Sequence, residues 1–263
     1  MSTRLDQIVA ATRRRVSAAK STAKLCELEK SAESHVPRGF RKALASQSGI
    51  AVIAELKKAS PSKGLIRANF DVEALAKQLE AAGATALSVL TDKEFFQGSL
   101  ENLERASSVT RLPCLRKDFI VDEFQIVEAR AFKADAILLI VAALTQPQLI
   151  TLANTSRSHG LDILCEVHDE EELGRALDAG CDLIGVNSRD LRTFDVNLGT
   201  ALDLAKRMPK EVVSVAESGI RSSNDIAKLR AAGYQAFLIG ESLMRAASPG
   251  EALRALTETV TVH

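Results

Sequence analysis

Eight short β-branched runs, each followed by a longer segment with helical apolar spacing, constrain this chain more than any other feature. The runs fall at residues 51–56, 86–90, 113–117, 136–141, 162–167, 183–187, 212–217 and 236–240. Between them the spacing predicts helices such as 71–82, 122–132, 169–179 and 222–232, each opened by an Asp or Ser suited to N-capping. Ala82-Gly83-Ala84, Ala179-Gly180-Cys181 and Ala232-Gly233-Tyr234 place a Gly where a left-handed residue ends a helix, and Lys133-Ala134-Asp135 fills the same place without one. These four points precede every second strand at intervals of about fifty residues, so the chain reads as four paired modules of two βα units. That pattern predicts an α/β fold, a (β/α)8 TIM barrel. The rival, a doubly wound open sheet, usually carries a Gly-rich first turn, and neither GxGxxG nor GxxxxGK[ST] occurs.

Residues 1–48 lie outside the eight units. Their apolar positions, Leu5, Ile8, Val9, Val16, Leu25, Leu28, Phe40 and Leu44, keep helical spacing. They predict an N-terminal helical extension packed on the barrel, with residues 49–263 as the single catalytic domain.

Composition removes several classes of function. Lys and Arg number 34 and Asp and Glu 34, so no basic field favours nucleic acid. The longest apolar run, residues 136–144, is too short to span a bilayer, and Asp6, Gln7 and Arg13 to Arg15 interrupt any secretory core. A cytoplasmic protein bound to neither nucleic acid nor membrane is the expectation. Cys26, Cys114, Cys165 and Cys181 show no metal-ligand spacing, and His35, His159, His168 and His263 stand in no evident partnership with them. Reduced thiols and no metal site follow.

In such a barrel the chemistry gathers at the carboxyl ends of the strands, and strand residues alternate between interior and helix layer. Glu55 and Lys57 end the first strand on the parity of Ile53. Lys117 ends the third on that of Leu115, Glu166 the fifth on Leu164, Asn187 the sixth on Gly185, and Glu217 the seventh on Val215. A single such residue is most simply a solvated loop group or a surface ion pair. Five strands aiming ionisable or amide groups at one mouth instead indicate shared acid–base work.

Two further features surround that mouth. Ser218-Gly219-Ile220 after the seventh strand and Ile239-Gly240-Glu241-Ser242 at the eighth occupy the loops that cradle phosphate in many barrels. Ser60, in the Ser/Pro/Gly loop after the first strand, adds a hydroxyl donor. Phe95, Phe96 and Phe119 sit in the second and third loops, and the fourth strand ends without charge, so an apolar wall faces a charged one. A ligand that is flat at one end and phosphorylated at the other matches that division.

These segments together resemble the indole-3-glycerol phosphate synthase family. The resemblance runs through Ile53-Ala54-Glu55-Leu56-Lys57-Lys58-Ala59-Ser60-Pro61-Ser62, Leu115-Arg116-Lys117-Asp118-Phe119-Ile120, Gly185-Val186-Asn187-Ser188-Arg189-Asp190-Leu191, Ala216-Glu217-Ser218-Gly219-Ile220 and Phe237-Leu238-Ile239-Gly240-Glu241-Ser242-Leu243-Met244. It implies a cofactor-free ring closure, decarboxylation and dehydration of an anthranilate-substituted deoxyribulose 5-phosphate. Lys57 or Lys117 would protonate the developing alkoxide, and Glu55 and Glu166 would serve the dehydration. By the same resemblance Asn187 and Glu217 position the substrate, and Arg189 supports the mouth. Ser60, Lys57, Ser218, Gly219 and Gly240 surround the phosphate, and Phe96 and Phe119 flank the ring. Glu241 stands where many relatives have Ser, and its backbone N–H is expected to face the ligand while its side chain points away. The phosphoribosylanthranilate isomerase type of barrel, the step before, needs only one acid and one base. A non-catalytic phosphate-binding barrel would be expected to have lost a Lys or Glu from the mouth, and all five are present. A pathway-enzyme partner is left open.

Overall fold

The computed structural model describes residues 3–190 and 195–258, so Leu191 of the sixth-strand motif and His263 lie outside the described residues. All eight predicted strands form: β1 (Ala51–Leu56), β2 (Ala86–Leu90), β3 (Cys114–Lys117), β4 (Ala136–Ile140), β5 (Asp162–Val167), β6 (Leu183–Asn187), β7 (Val213–Glu217) and β8 (Ala236–Ile239). Each pairs in parallel with its neighbours in sequence, and β1 pairs with β8, Ala51 opposite Ala236, to close the barrel. Strand ends move by a residue for local reasons. Pro113 has no N–H to place in the ladder, though its carbonyl still accepts from Leu87 N–H at 3.0 Å. Val141 begins a 3-10 turn (Val141–Ala143), and Gly240 caps the short helix Glu241–Arg245.

The alternation expected from sequence separates two cores. Ile53, Leu115, Leu138, Leu164, Val215 and Leu238 fill the barrel interior, while Val52, Val89, Ile137, Cys165, Val186 and Phe237 face the surrounding helices. Each fully buried aliphatic side chain contributes about 1.5–3 kcal/mol. Asp71, Asp169 and Ser222 accept N-terminal helix N–H groups as predicted. The helix expected from Asp122 starts later, as Phe124–Ala131, with the Asp122 carboxylate accepting from Phe124 N–H and pairing with Lys20 at 3.0 Å. Three helix ends are closed by left-handed Gly83, Gly180 and Gly233, and Lys133 adopts the same conformation at φ +64°. Cys114, Cys165 and Cys181 are buried free thiols and Cys26 an exposed one.

The N-terminal residues form α1 (Arg4–Thr22), α2 (Leu25–Ser34) and α3 (Phe40–Ala45). The short α3 plugs the amino end of the barrel: Phe40 and Leu44 are buried and belong to the same cluster as Ala51, Ile53 and Val213. Buried Asp135, just before β4, ties this segment down by accepting from Arg38 N–H at 2.7 Å, Arg38 Nε at 3.0 Å and Cys114 N–H at 2.6 Å. α1 runs to the other end, burying Ile8, Val9 and Val16 and pairing Arg15 with Asp118 at 2.9 Å. Replacing Phe40 by Ala leaves a cavity in the barrel floor, and Phe40→Ala is expected to cost about 3–5 kcal/mol, read as a lower denaturation midpoint in urea.

Candidate active site

At the carboxyl end of the strands the interior parity changes from aliphatic to charged, and the side chains that end β1, β3, β5, β6 and β7 converge. Lys117 Nζ lies 2.9 Å from Glu166 Oε2 and 2.7 Å from Glu217 Oε2. Asn187 Nδ2 donates to the other Glu166 oxygen at 3.1 Å, and Asn187 Oδ1 accepts from Arg189 N–H at 3.0 Å, which fixes the amide's orientation. Lys57 Nζ pairs with Glu55 Oε1 at 2.6 Å beside them. Glu55, Glu166 and Glu217 are each at most 3% exposed, so their charges act through a medium far less screening than water.

That burial separates their protonation. Burial alone would lower the Lys117 pKa, but the charges of Glu166, Glu217 and Glu55 outweigh it and hold the ammonium protonated above the ordinary lysine range. Burial opposes ionisation of Glu166, yet Lys117, His168 and the Asn187 amide keep it ionised, with its pKa down at about 2. Glu217 goes the other way: burial pushes it up to about 7, with Lys117 opposing and Glu166 and Glu55 adding to the rise. One lysine facing two carboxylates thus leaves one firmly charged and one poised near neutrality.

Two glycines make room for these carboxylates. A Cβ on Gly185 would collide with Glu217 Oε1, and one on Gly240 with Glu55 Oε1. Glu217 Oε1 is buried against Gly185 and has no hydrogen-bond partner among the described residues.

The cavity is about 530 Å³, and every site residue expected from sequence lines it. Glu55, Lys57, Lys117, Glu166, Asn187 and Glu217 occupy its floor. Ser60 reaches it from a hairpin in the first loop (Ala59–Ser60 with Gly64–Leu65), and Arg189, Ser218, Gly219, Gly240 and Glu241 form the rim after β6 to β8. Ser218 and Gly219 take consecutive left-handed conformations, φ +65° and +81°, turning the backbone sharply after β7. Phe96 and Phe119 pack in a tilted pair, 6.3 Å between ring centroids, and complete an apolar wall with Leu138 and Ile140. Phe95 does not join that wall, and Arg4 instead lies 5.3 Å over its ring.

One sequence expectation changes, and the structure adds residues that the sequence did not indicate. The Glu241 side chain does not point away: its carboxylate stays at the rim, 3.1 Å from Arg245 Nε and 3.7 Å from Arg189, because those guanidinium groups attract it. His168 does have partners, though glutamates and not cysteines: Glu172 at 2.9 Å and Glu166 at 3.5 Å. Arg4, Leu5 and Ile8 of α1 line the cavity, and so do Arg221 and Arg245. The apolar spacing of Leu5 and Ile8 identified a buried helix face, but nothing in the sequence showed which end of the barrel it covers.

A closed eight-stranded barrel with acid–base groups collected at the carboxyl ends of its strands is the architecture of a (β/α)8-barrel enzyme. The family model for indole-3-glycerol phosphate synthase matches residues 5–256. The chain is 64% identical over 258 residues to the indole-3-glycerol phosphate synthase of Koribacter versatilis, covering 97% of this chain and 99% of that protein. It is 50% identical to that of Verminephrobacter eiseniae, covering 96% and 98%. The chain belongs to the indole-3-glycerol phosphate synthase family, enzymes of tryptophan biosynthesis. Among solved structures it is similar in fold to 3-hexulose-6-phosphate synthase from Salmonella typhimurium, with TM-score 0.64, 11% identity, and coverage of 79% of this chain and 97% of that one. It is also similar to thiamine phosphate pyrophosphorylase from Pyrococcus furiosus, with TM-score 0.60, 18% identity, and coverage of 79% and 93%.

Gly185→Ala places a methyl group where the Glu217 carboxylate lies and displaces that carboxylate from Lys117. A misplacement on the order of 1 Å costs about 10² in rate. A drop of that size in turnover, with circular dichroism unchanged, is the expected outcome.

Proposed function

We propose that the chain acts as a carboxy-lyase, converting 1-(2-carboxyphenylamino)-1-deoxyribulose 5-phosphate to indole-3-glycerol phosphate, CO2 and water by general acid–base catalysis. The observation that carries this reading is Lys117, held at 2.9 and 2.7 Å by two buried carboxylates in the floor of a cavity with a charged side and an aromatic side. The anthranilate ring lies against the wall formed by Phe96, Phe119, Leu138 and Ile140. The phosphate lies at the opposite rim, against Lys57, Ser60 and the backbone at Ser218, Gly219 and Gly240. Arg189 supports the mouth, and Glu241 holds Arg245 and Arg189 at its edge.

In the first step the ring carbon bearing the carboxylate attacks the sugar ketone. A carbon–carbon bond forms, the carbonyl π pair moves to oxygen, and the ammonium of Lys117 stabilises and protonates the alkoxide. Loss of CO2 returns the electron pair to the ring. In the dehydration a general acid protonates the departing hydroxyl while a carboxylate removes the ring proton, and Glu55 and Glu166 are the groups within the floor for these roles. Asn187 and Glu217, both lining the cavity, position the sugar hydroxyls. The residues present supply acid, base and oxyanion stabilisation without a cofactor.

The extension of residues 1–48 and the barrel of residues 49–263 work as one catalytic unit, with α1 lining the mouth and α3 closing the floor. We assign the enzyme to the cytoplasm. No helix among the described residues is long and apolar enough to cross a membrane.

Two outcomes test the reading. The chain has no Trp, so the emission of the indole product stands clear of the protein's own. Lys117→Ala is expected to lower kcat by about 10² to 10⁴ in that assay, and a change under about threefold in a folded variant would remove Lys117 from the mechanism. Glu217, with its pKa pushed up to about 7, loses its charge as the pH falls through that value. It then weakens as an acceptor for Lys117 and for substrate hydroxyls. Activity is therefore expected to decline below about pH 7, and in Glu217→Gln that acidic limb should be absent at lower overall activity.

A further inference from the structure

We propose that His168 is a positioning residue for the Glu166 carboxylate, the middle member of a Glu172–His168–Glu166 chain that enters the cavity from behind β5. The inference deepens the function proposed above and rests on it. His168 directly follows β5, on the same parity as Glu166. Glu172, in the first turn of the helix Glu170–Asp178, accepts from His168 backbone N–H at 2.8 Å and lies 2.9 Å from His168 Nδ1. A carboxylate at that distance fixes Nδ1 as an N–H donor. The second nitrogen is then turned toward the site. His168 Nε2 is buried, makes no hydrogen bond among the described residues, and stands 3.5 Å from Glu166 Oε1.

In the neutral ring with Nδ1 protonated, the Nε2 lone pair would face a carboxylate oxygen. The imidazolium presents an N–H to both neighbours, so it is the form the two glutamates favour. Glu172, Glu166 and Glu217 are the charges that reach His168. Burial lowers its pKa, but the Glu172 hydrogen bond and those three charges raise it above the ordinary histidine value. Lys117, across Glu166, is the opposing positive charge.

The arrangement has a purpose that the resting contacts do not reveal. Glu166 Oε2 is held by Lys117 and Oε1 by Asn187. When Lys117 turns to the developing alkoxide, Glu166 loses its principal counter-charge. His168 then keeps the carboxylate ionised and oriented from the side the substrate does not occupy. Catalytic hydrogen bonds of this kind are commonly long in the empty site and shorten with substrate.

The test combines a titration that needs no substrate with kinetics that do. The chain has four histidines, so the His168 ring resonance is assigned by its loss in His168→Asn. Its titration is followed by NMR in the unsubstituted protein, Glu172→Gln and Glu166→Gln. The His168 pKa is expected to fall in both glutamate variants, and an unchanged value in Glu166→Gln would overturn the contact whether or not the protein turns over substrate. In kinetics, Glu172→Gln and His168→Asn are expected to lower kcat by about ten- to hundredfold, the worth of one hydrogen bond to a charged group, with KM changed under about threefold. The alkaline limb of kcat should move to lower pH in Glu172→Gln and be absent in His168→Asn. Folded variants whose kcat stays within about threefold and whose alkaline limb does not move would overturn the role. Absence of turnover in the unsubstituted protein would instead sink the synthase reading, and the titration alone would then decide the contact.

Discussion

Closure of eight parallel strands imposes a parity on every strand residue, and the remainder of the molecule follows from it. An interior position must hold a side chain that fills the barrel, and an outer position one that packs under a helix. The two cores, one around Ile53, Leu138 and Leu164 and the other around Val52, Ile137 and Cys165, are these two parities made solid. Only at the carboxyl ends does the interior parity change to Glu55, Lys117, Glu166, Asn187 and Glu217, with Gly185 and Gly240 left small beside them.

Burying three carboxylates there is unfavourable unless each has partners, and the partners determine what each can do. Lys117 divides itself between Glu166 and Glu217, so one is held charged and the other poised. The same desolvation that strains the resting site strengthens every charge–charge interaction in it, which suits the proposed reaction, in which an alkoxide develops and a protonated hydroxyl later leaves as water. The aromatic wall of Phe96 and Phe119 gives the opposite side of the cavity an apolar surface.

The first forty-odd residues work at both ends of the barrel. Phe40 and Leu44 supply the floor that eight strands alone leave open, and Arg38 and Arg41 bind the carboxylates of Asp135 and Asp162 at the starts of β4 and β5. Leu5 and Ile8 reach the opposite end and narrow the mouth. A segment that reads in sequence as a helical addition is therefore part of the core and of the cavity.

Strand count, strand bounds to within a residue and the alternation set were legible in the sequence, because hydrophobic periodicity and helix-ending residues are local properties. The charged residues of the cavity were legible for the same reason: a charge at the end of an apolar strand marks itself by position, and Glu55, Lys57, Lys117, Glu166 and Glu217 line one cavity. Other features depended on distances that no local pattern encodes. The sharing of Lys117 between Glu166 and Glu217, which lie on β3, β5 and β7, exists only once the barrel has closed. The Glu241 side chain stays at the rim because Arg189 and Arg245 happen to flank it there, and His168 acquires Glu172 from the next helical turn and Glu166 from the strand behind it. Sequence by itself determined which residues end the strands and on which face. Tertiary structure decided which of them share a proton, because Coulomb interactions depend on separation and burial, and both are set by packing across the whole barrel.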